Sequence, residues 1–356
     1  MTETRIAVVG TAGRNTIDTA ALLLTEMLDH VDDWRVDVHS IRRPALPGEN
    51  RVTGACEVII VALRILATAL RCRRSADVVV VNKTLAWDPV DAVFDRPLYE
   101  RVFLSLGTTV YATMDADYVS EPTKTSVLFE NADLVLATSR AIYDEATSVA
   151  PSERVVLVPP CVDTDFFTPM AEARPHDERL VLGWVGSADH HTDTLRHLVT
   201  CLEQVPPDDV SLRLLLGGGS LPEDVRHALE ELGFDVDVVE YVPRAEVPAV
   251  INSFDVGLVP LRDTEFDRGK SSQKVREYMA CGVPVLASDV GENRHLVPEH
   301  TGLLASGPGD WAEAVSTLLD GETRAEMGER ARDHVESEYA VPVVAARLEA
   351  AFDRIL

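Results

Sequence analysis

Short apolar strand patterns alternate with helical patterns along the first half of the chain. Strands are predicted at 5–9, 35–41, 77–81, 108–114, 133–139 and 155–160, and helices at 17–31 and 56–72. The strands are nearly continuous runs of Val, Ile and Leu, which is typical of parallel strands that are covered on both faces. The first half therefore predicts a Rossmann-like domain.

The same alternation starts again after a polar, proline-containing segment near 165–179. Strands are predicted at 180–186, 211–219, 235–242, 256–261 and 284–288, and only helical patterns follow from Trp311 onward. Two Rossmann-like α/β domains in tandem predict a ligand between them, because open parallel sheets bind at the carboxyl ends of their strands.

The charge of the chain limits the possible classes of function more than its length does. The chain has 356 residues, 46% of them apolar, with 33 Lys and Arg against 59 Asp and Glu, and a net charge of −26. The apolar content is enough for real cores, and the charge argues against non-specific nucleic-acid binding.

The positive charge is almost all arginine, and the only lysines are Lys83, Lys124, Lys270 and Lys274. An acidic, lysine-poor surface is what high intracellular salt favours, so we expect a halophilic source, an archaeon. Compositional drift is the alternative explanation.

The cysteines show no metal or disulfide spacing. Five are scattered without a C-x-x-C pair, at Cys56, Cys72, Cys161, Cys201 and Cys281. We therefore expect a reducing cytoplasm and no zinc site. The N-terminus shows no signal-peptide pattern, and Arg64 interrupts the longest apolar stretch, so no membrane-spanning helix is predicted.

The segment 270–288, KSSQKVREYMACGVPVLAS, predicts a helix followed by a buried strand. The helix begins at Ser272 and ends at about Ala280. Gly282 occupies the position where a helix end favours a left-handed residue, and Pro284 prevents continuation.

The start of this helix has the groups of a diphosphate site. Lys270 and Lys274 lie beside the first turn, where backbone N–H groups near Ser272 and Gln273 and the helix dipole add positive potential. The Glu277 carboxylate, one turn on, suits two vicinal ribose hydroxyls. The alternative is a solvated helix face with ordinary charge pairing.

Several ordered motifs resemble one known family. The segment VREYMACGVPVLASDVGENRHLV is similar to the donor-site signature of glycosyltransferase family 4, also called group 1. The segments ADLVLATSRAIYDEA, VVLVPPCVDTDFFTP, VGLVPL and TGLLA fall in the order expected for that family. The resemblance covers 130–356 and is weaker before that.

The resemblance implies a retaining glycosyltransferase of the GT-B fold, with two Rossmann-like domains facing across a cleft. It implies an acceptor domain at 1–168, completed by a C-terminal helix at about 340–356 that crosses back to it, and a donor domain at 176–336. The donor would be a UDP- or GDP-sugar, the acceptor a glycan or a lipid-linked sugar, and no cofactor would be required.

Two departures from the family pattern bear on the site. Gly269 stands where many members have a first glutamate, which contacts the donor sugar. Gly186 and Ser187 follow the first strand of the second domain, where the family has the Arg and Lys that grip the phosphates. Lys270 and Lys274 are then substitutes for the missing cations.

Weaker candidates complete the site. In the first domain, Lys83 and Asp115 follow strands, and Asp115 either orients the acceptor hydroxyl or caps local structure. By the resemblance, Tyr241 and Val242 belong to a turn that meets the nucleotide base through its backbone. The polar stretch around His190 and His191 is expected to be a surface loop rather than a metal cluster.

The helix near 56–72 leaves a further alternative open. Its end carries Arg64, Arg71, Arg73 and Arg74. These arginines suit an anionic membrane that holds a lipid-linked acceptor, or they neutralise the dipole of their own helix.

Two rival functions share the same cleft. The first is a sugar-nucleotide epimerase of the GT-B fold, which needs no acceptor. The second is a non-catalytic protein that binds a nucleotide-sugar and catalyses no reaction.

Overall fold

The computed structural model describes residues 3–12, 19–42, 51–82, 102–105, 107–113, 126–170 and 179–356. The chain forms two compact units. The first consists of Met1–Cys161, Gly269–Ser271 and Val341–Leu356, and the second of Val162–Arg268 and Ser272–Ala340.

The first unit is built on a parallel sheet. In chain order its elements are β1 (Thr4–Ala12), α1 (Thr19–Leu28), β2 (Trp34–Arg42), α2 (Arg51–Ser75), β3 (Val78–Asn82), β4 (Thr108–Thr113), α3 (Ser126–Asn131), β5 (Leu134–Ala137), α4 (Arg140–Val149) and β6 (Val155–Leu157). Among the described residues the sheet order is β2-β1-β3-β4-β5-β6.

The second unit repeats this plan with a second parallel sheet. Its elements are β7 (Leu180–Gly186), α5 (Ala188–Leu202), β8 (Val210–Leu216), α6 (Glu223–Glu231), β9 (Asp235–Val239), α7 (Val247–Ile251), β10 (Val256–Val259), α8 (Glu265–Arg268), α9 (Gln273–Ala280), β11 (Val285–Ser288), α10 (Asn293–Leu296), β12 (Gly302–Ala305), α11 (Pro308–Leu318) and α12 (Gly321–Tyr339). The described strands run in the order β12-β11-β10-β7-β8-β9.

The last helix, α13 (Val341–Phe352), returns to the first unit. It shares a core with the buried residues of α1, and the Phe352 ring lies 4.9 Å from the Trp34 ring, centre to centre. The prediction that a C-terminal helix crosses back to the first domain is therefore confirmed.

Burial on both faces explains why the strands are visible in the sequence. The β3 strand Val78–Asn82 is buried at every position, and so is β10, Val256–Val259. Side chains on both faces of such a strand must be apolar, because helices cover both sides of the sheet. The predicted α/β class with two Rossmann-like units is confirmed.

Two local predictions are corrected. The polar stretch at 189–193 is not a loop: it forms the first turns of α5, where the backbone of His191 departs from helical geometry. The strand β12 was not predicted, since it is only four residues long and begins at Gly302. A side chain at Gly302 would approach the Val285 carbonyl oxygen to 2.3 Å, so only glycine fits that pairing.

One arginine joins separate segments of the second unit. Arg332, on α12, donates through Nη1 to the Phe167 carbonyl at 2.6 Å and also to the Ala280 carbonyl at the end of α9. Its Nη2 donates to the Thr164 carbonyl at 2.8 Å. These bonds tie the 164–167 turn to the carboxyl end of α9.

In the part of the chain that the structure describes, no helix has the length and apolar character needed to cross a bilayer.

Candidate functional site

Helix α9 begins with a strained residue. Ser272 precedes the helix with φ 55° and ψ 45°, the left-handed conformation that non-glycine residues rarely adopt. Its side chain is 9% exposed, and its Oγ has no hydrogen-bond partner among the described residues. A buried, unpartnered hydroxyl beside strained backbone at a helix start is typical of a place where a ligand binds.

The other end of α9 is closed as the sequence predicted. Gly282 has a φ of +67°, the Gly282 N–H donates to the Met279 carbonyl, and the Val283 N–H donates to the Tyr278 carbonyl. This is the glycine-terminated helix end that the G-x-P pattern indicated.

Helix α9 packs against the carboxyl end of β7. The Tyr278 hydroxyl accepts a hydrogen bond of 2.9 Å from the Val185 N–H, and burial raises the pKa of Tyr278. Lys274 Nζ lies 5.4 Å from the centre of the Trp184 ring, which is 1% exposed. A cation–π contact of this kind holds the ammonium group in place and leaves it with hydrogen atoms to donate.

Small residues surround the end of β7. Gly217 N–H donates to the Gly186 carbonyl at 2.8 Å, and the Ala188 N–H donates to the Gly218 carbonyl at 2.8 Å. A side chain at Gly186 would come within 2.4 Å of Cη2 of Trp184. Together with Ser187, which precedes α5, these residues form a rim of small side chains. The rim lies next to the Trp184 ring, against which the Lys274 ammonium group packs.

Glu277 lies one turn further along α9 and is partly exposed. Desolvation raises its pKa to about 7, and the nearby positive charges of Lys274, Arg244 and Arg276 oppose this rise, as does a hydrogen bond with the Gln273 side chain. Burial therefore outweighs the surrounding positive charge. The charged form of a carboxylate in that environment is stabilised by any ligand whose hydroxyl groups donate hydrogen bonds to it.

Two arginines near Glu277 are fixed by aromatic rings. The Arg276 guanidinium is fully buried and lies 4.7 Å from the Tyr339 ring centre, and the Arg244 guanidinium lies 5.4 Å from the Phe166 ring centre. Their charge is therefore held close to the carboxylate rather than distributed over mobile side chains.

The turn after β9 presents an exposed aromatic residue. Tyr241 is 72% exposed and Val242 is half-buried, and Arg244 follows two residues later. Since Arg244 is close enough to lower the pKa of Glu277, this turn lies at the same end of the second unit as α9.

An ion pair between a buried aspartate and a partly exposed arginine fixes the segment that leads toward α9. Asp267 is fully buried, and its Oδ2 accepts hydrogen bonds from Arg262 Nε at 3.0 Å and from the Arg262 N–H at 3.2 Å. Arg262 Nη1 also donates to Asp193 at 2.8 Å, on α5. The loop after β10 is thereby joined to the helix that follows β7.

The remaining predicted residues, Lys270, Lys83 and Asp115, are not among the described residues of the second unit. Lys270 falls with Gly269 and Ser271 in the first unit, where the buried Ser139 Oγ donates to the Gly269 carbonyl at 2.9 Å. Lys83 and Asp115 lie outside the described residues.

No cluster of His, Cys, Asp and Glu that could hold a metal ion occurs among the described residues. His191 instead packs edge-on against Trp184, with ring centres 6.2 Å apart. The described cysteines, which are Cys72, Cys161, Cys201 and Cys281, are buried and unbridged.

The sequence prediction missed three contributors to the site: the ring of Trp184, and the charges of Arg244 and Arg276. The only local signals were a tryptophan inside the G-W-V-G-S segment and an arginine just after the Y-V-P turn. Arg276 carried no signal, because its ring partner is far away in the sequence.

Comparison with known proteins gives a family match within the second unit. Residues 179–321 match the family model described as glycosyl transferases group 1. The D-inositol 3-phosphate glycosyltransferase of Paenarthrobacter aurescens is 28% identical over 229 residues, which are 59% of this chain and 55% of that protein. The chain thus spans about half the length of this curated relative.

Longer matches cover almost the whole chain. The 2-deoxystreptamine glucosyltransferase of Streptomyces kanamyceticus is 28% identical over 359 residues, which are 91% of this chain and 90% of that protein. The crystal structure of the Anabaena protein HepE in complex with UDP superposes with a TM-score of 0.75 at 15% identity, covering 99% of this chain and all of that one. The fold is therefore GT-B.

Proposed function

We propose that the chain transfers a sugar from a nucleotide-diphosphate donor to an acceptor, on the premise that residues 179–321, which match the group 1 glycosyl transferases model, have the activity of that family. The donor is a UDP- or GDP-sugar, the acceptor is a glycan or a lipid-linked sugar, and the anomeric configuration is retained. The observation that carries the proposal is the arrangement on α9, where Lys274 and Glu277 follow the strained, unpartnered Ser272.

The diphosphate binds at the start of α9 in this proposal. Ser272 and Gln273 supply hydrogen-bond donors where the helix dipole is positive, and Lys274 supplies a full charge. Lys270 adds a second ammonium group. As the bond from the sugar to the diphosphate breaks, negative charge grows on the leaving oxygen, and these groups stabilise it more strongly than they stabilise the bound donor.

Glu277 recognises the ribose. Its carboxylate is partly exposed and desolvated, so two vicinal hydroxyl donors replace the water that burial has removed. The rim of Gly186 and Ser187 lets the donor approach the backbone closely, and the turn at Tyr241 and Val242 meets the nucleotide base.

The first unit binds the acceptor. Asp115 orients the acceptor hydroxyl, and Lys83, which follows an earlier strand pattern in the sequence, assists it. Both roles rest on the sequence alone, and no cofactor takes part in this scheme.

A donor panel tests the proposal directly. UDP- and GDP-sugars are screened by thermal shift, and calorimetry then measures the dissociation constant of the best donor. Lys274→Ala and Glu277→Gln should each weaken donor binding about 10- to 100-fold, because each removes a charge-assisted contact.

A matched control comes from the exposed ion pair between Arg330 and Glu326 on α12, 3.1 Å apart. Arg330→Ala and Glu326→Gln change the same charges in the same unit and should leave donor binding unchanged. If the two α9 variants kept full affinity and full transfer activity, the site assignment would be wrong.

A second candidate function rests on Gly269, which replaces the glutamate that many family members have. Without that carboxylate the protein would bind a nucleotide-sugar and not transfer it. Calorimetric donor binding without transfer to any glycan or lipid acceptor, and without donor hydrolysis, would favour this alternative. Conversion of the sugar nucleotide itself, seen by product analysis, would favour the epimerase.

The acidic composition leads to a proposal about source and location. With 59 acidic against 33 basic residues and four lysines, we place the protein in the cytoplasm of a halophilic archaeon, in contact with the inner face of the membrane through the Arg64–Arg74 helix. Activity and stability should rise with potassium chloride toward molar concentrations. An enzyme fully folded and active in dilute buffer that fails in molar salt would contradict a halophilic source.

A further inference from the structure

An open groove lies along one edge of the first unit's sheet, where β6 is the last strand in the order. Its volume is about 590 Å³, which is within the range of sites that bind small molecules. We call it the α4 groove, because the first turns of α4 form one of its sides. Its polar lining residues are Arg140, Tyr143, Asp144, Ser152 and Arg354, and its apolar lining is β6 itself, Val155–Leu157. All of these residues belong to the first unit, so none of them is shared with α9.

Helix α4 presents three of the polar groups on one side. Tyr143 and Asp144 come three and four residues after Arg140, and this spacing brings side chains together on a helix surface. The start of the helix is fixed, because the Ser139 Oγ accepts a hydrogen bond from the Ile142 N–H. The Tyr143 ring packs against the core of the unit, and within the described residues its hydroxyl has no hydrogen-bond partner.

Arg354, two residues after the end of α13, brings a second guanidinium group to the α4 groove. The chain has 59 Asp and Glu against 33 Lys and Arg, so an arginine readily finds a carboxylate, as Arg5 does with Asp77 at 3.0 Å. The Arg354 guanidinium makes no ion pair or hydrogen bond within the part of the chain that the structure describes. In a protein of net charge −26, the groove therefore has two positive side chains and one carboxylate.

The chemistry of these groups suits a ligand that has both a phosphate and several hydroxyl groups. Guanidinium groups bind phosphate oxygens through charge-assisted hydrogen bonds. The Asp144 carboxylate would repel a bare phosphate, but it accepts hydrogen bonds from the hydroxyl groups of a sugar. The hydroxyls of Tyr143 and Ser152 can donate or accept, and the apolar side chains of β6 suit the C–H groups of a sugar ring.

We propose that the α4 groove binds a phosphorylated sugar, with its phosphate on Arg140 and Arg354 and its hydroxyl groups on Asp144. This site is additional to the donor and acceptor sites of the proposed function and does not rest on that function. It stands on the cavity and on the charged and polar side chains that line it.

A strand added from another protein is disfavoured as the occupant. Strand addition needs a row of backbone N–H and C=O groups on the edge strand. Strand β6 has only three residues, and Pro159 and Pro160, which follow it closely, have no N–H to donate. A small molecule is therefore the occupant that the groove favours.

The test is calorimetry on the full chain without any nucleotide-sugar, with glucose 6-phosphate and mannose 6-phosphate as probes. At least one of them should bind saturably, and the same sugar without its phosphate should bind about tenfold more weakly or worse. Arg140→Gln and Arg354→Gln should each weaken this binding about tenfold, because each removes a charge-assisted contact. Both side chains are exposed, so circular dichroism and the melting temperature should match the wild type.

Asp144→Asn separates a sugar phosphate from free phosphate. This variant should bind the hexose phosphate about threefold to tenfold more weakly, because the sugar hydroxyls lose a charged acceptor. Inorganic phosphate should bind the variant as well as the wild type or more tightly, since a repelling charge is gone. Arg73→Gln, at an exposed position on α2 of the same unit, is the matched control and should bind like the wild type.

Lys274→Ala tests whether the probe has bound at the start of α9 instead, and it should leave hexose phosphate binding unchanged. Three results would overturn the proposal: no saturable binding of either hexose phosphate, unchanged binding in both arginine variants of the groove, or binding that is lost in Lys274→Ala. Equal affinity of the wild type for inorganic phosphate and for the hexose phosphates would also overturn it, because the groove would then be a simple anion site. None of these results bears on sugar transfer, which the α9 variants test separately.

Discussion

The raised pKa of Glu277 makes the stability of the second unit depend on pH in a predictable direction. In the folded protein the carboxyl has a pKa of about 7, against an ordinary value of 4.5, because it is desolvated. Between these two values the folded state holds a proton that the unfolded state has released. Stability therefore falls as pH rises from about 4.5 to about 7, and the full cost remains above that range.

The magnitude follows from the two pKa values. Their difference corresponds to about 3 kcal/mol, and about 2–3 kcal/mol is expected because part of the side chain meets solvent. Glu277→Gln removes the titration and keeps the shape, with one acceptor oxygen replaced by an amide nitrogen that donates. The free energy of unfolding of this variant, relative to the wild type, should increase by about 2–3 kcal/mol from pH 5 to pH 8.

Urea unfolding followed by tryptophan fluorescence measures this difference. Trp184 and Trp311 are both fully buried in the core of the second unit, so their emission reports its unfolding. Glu326→Gln, in the exposed pair with Arg330, is the control and should show a difference that changes little with pH. A Glu277→Gln difference that stays constant from pH 5 to pH 8 would refute the desolvation argument.

Three further outcomes follow from the same site. Donor affinity should weaken about tenfold per pH unit below about pH 7, because the donor hydroxyls favour the charged Glu277, and calorimetry on Glu277→Gln should show no such trend. Gly282→Ala should cost about 1 kcal/mol of unfolding free energy, measured with urea, since φ is +67° there. Gly186→Ala should displace the Trp184 ring, destabilise the unit by roughly 1–3 kcal/mol and weaken donor binding together with it, visible as shifted tryptophan emission. An unchanged emission spectrum with wild-type affinity would contradict the last prediction.

The sequence was informative where one physical requirement dominates a segment. Strands buried on both faces must be apolar along their whole length, so most strands of both sheets were predictable. The end of α9 was equally clear, because glycine at 282 followed closely by proline leaves few alternatives.

The remaining features depend on contacts between distant segments. The position of Lys274 over Trp184, and that of Arg244 near Glu277, arise from packing of β7, α9 and the turn after β9. The start of α5 was mistaken for a loop because its first turn contains Asp and His, whose polarity resembles that of a turn. The pattern of α2 predicted a helix, yet only the structure shows that its leucines face outward.

The three carbonyls held by Arg332 set a mechanical limit on helix α9. The same guanidinium binds Ala280 at the end of the helix and the Thr164 and Phe167 carbonyls of a turn more than a hundred residues earlier. Helix α9 therefore cannot slide along its axis or rotate without breaking those bonds or carrying the turn with it. A small shift of the 164–167 turn would therefore displace Lys274 and Glu277 together with the helix that carries them.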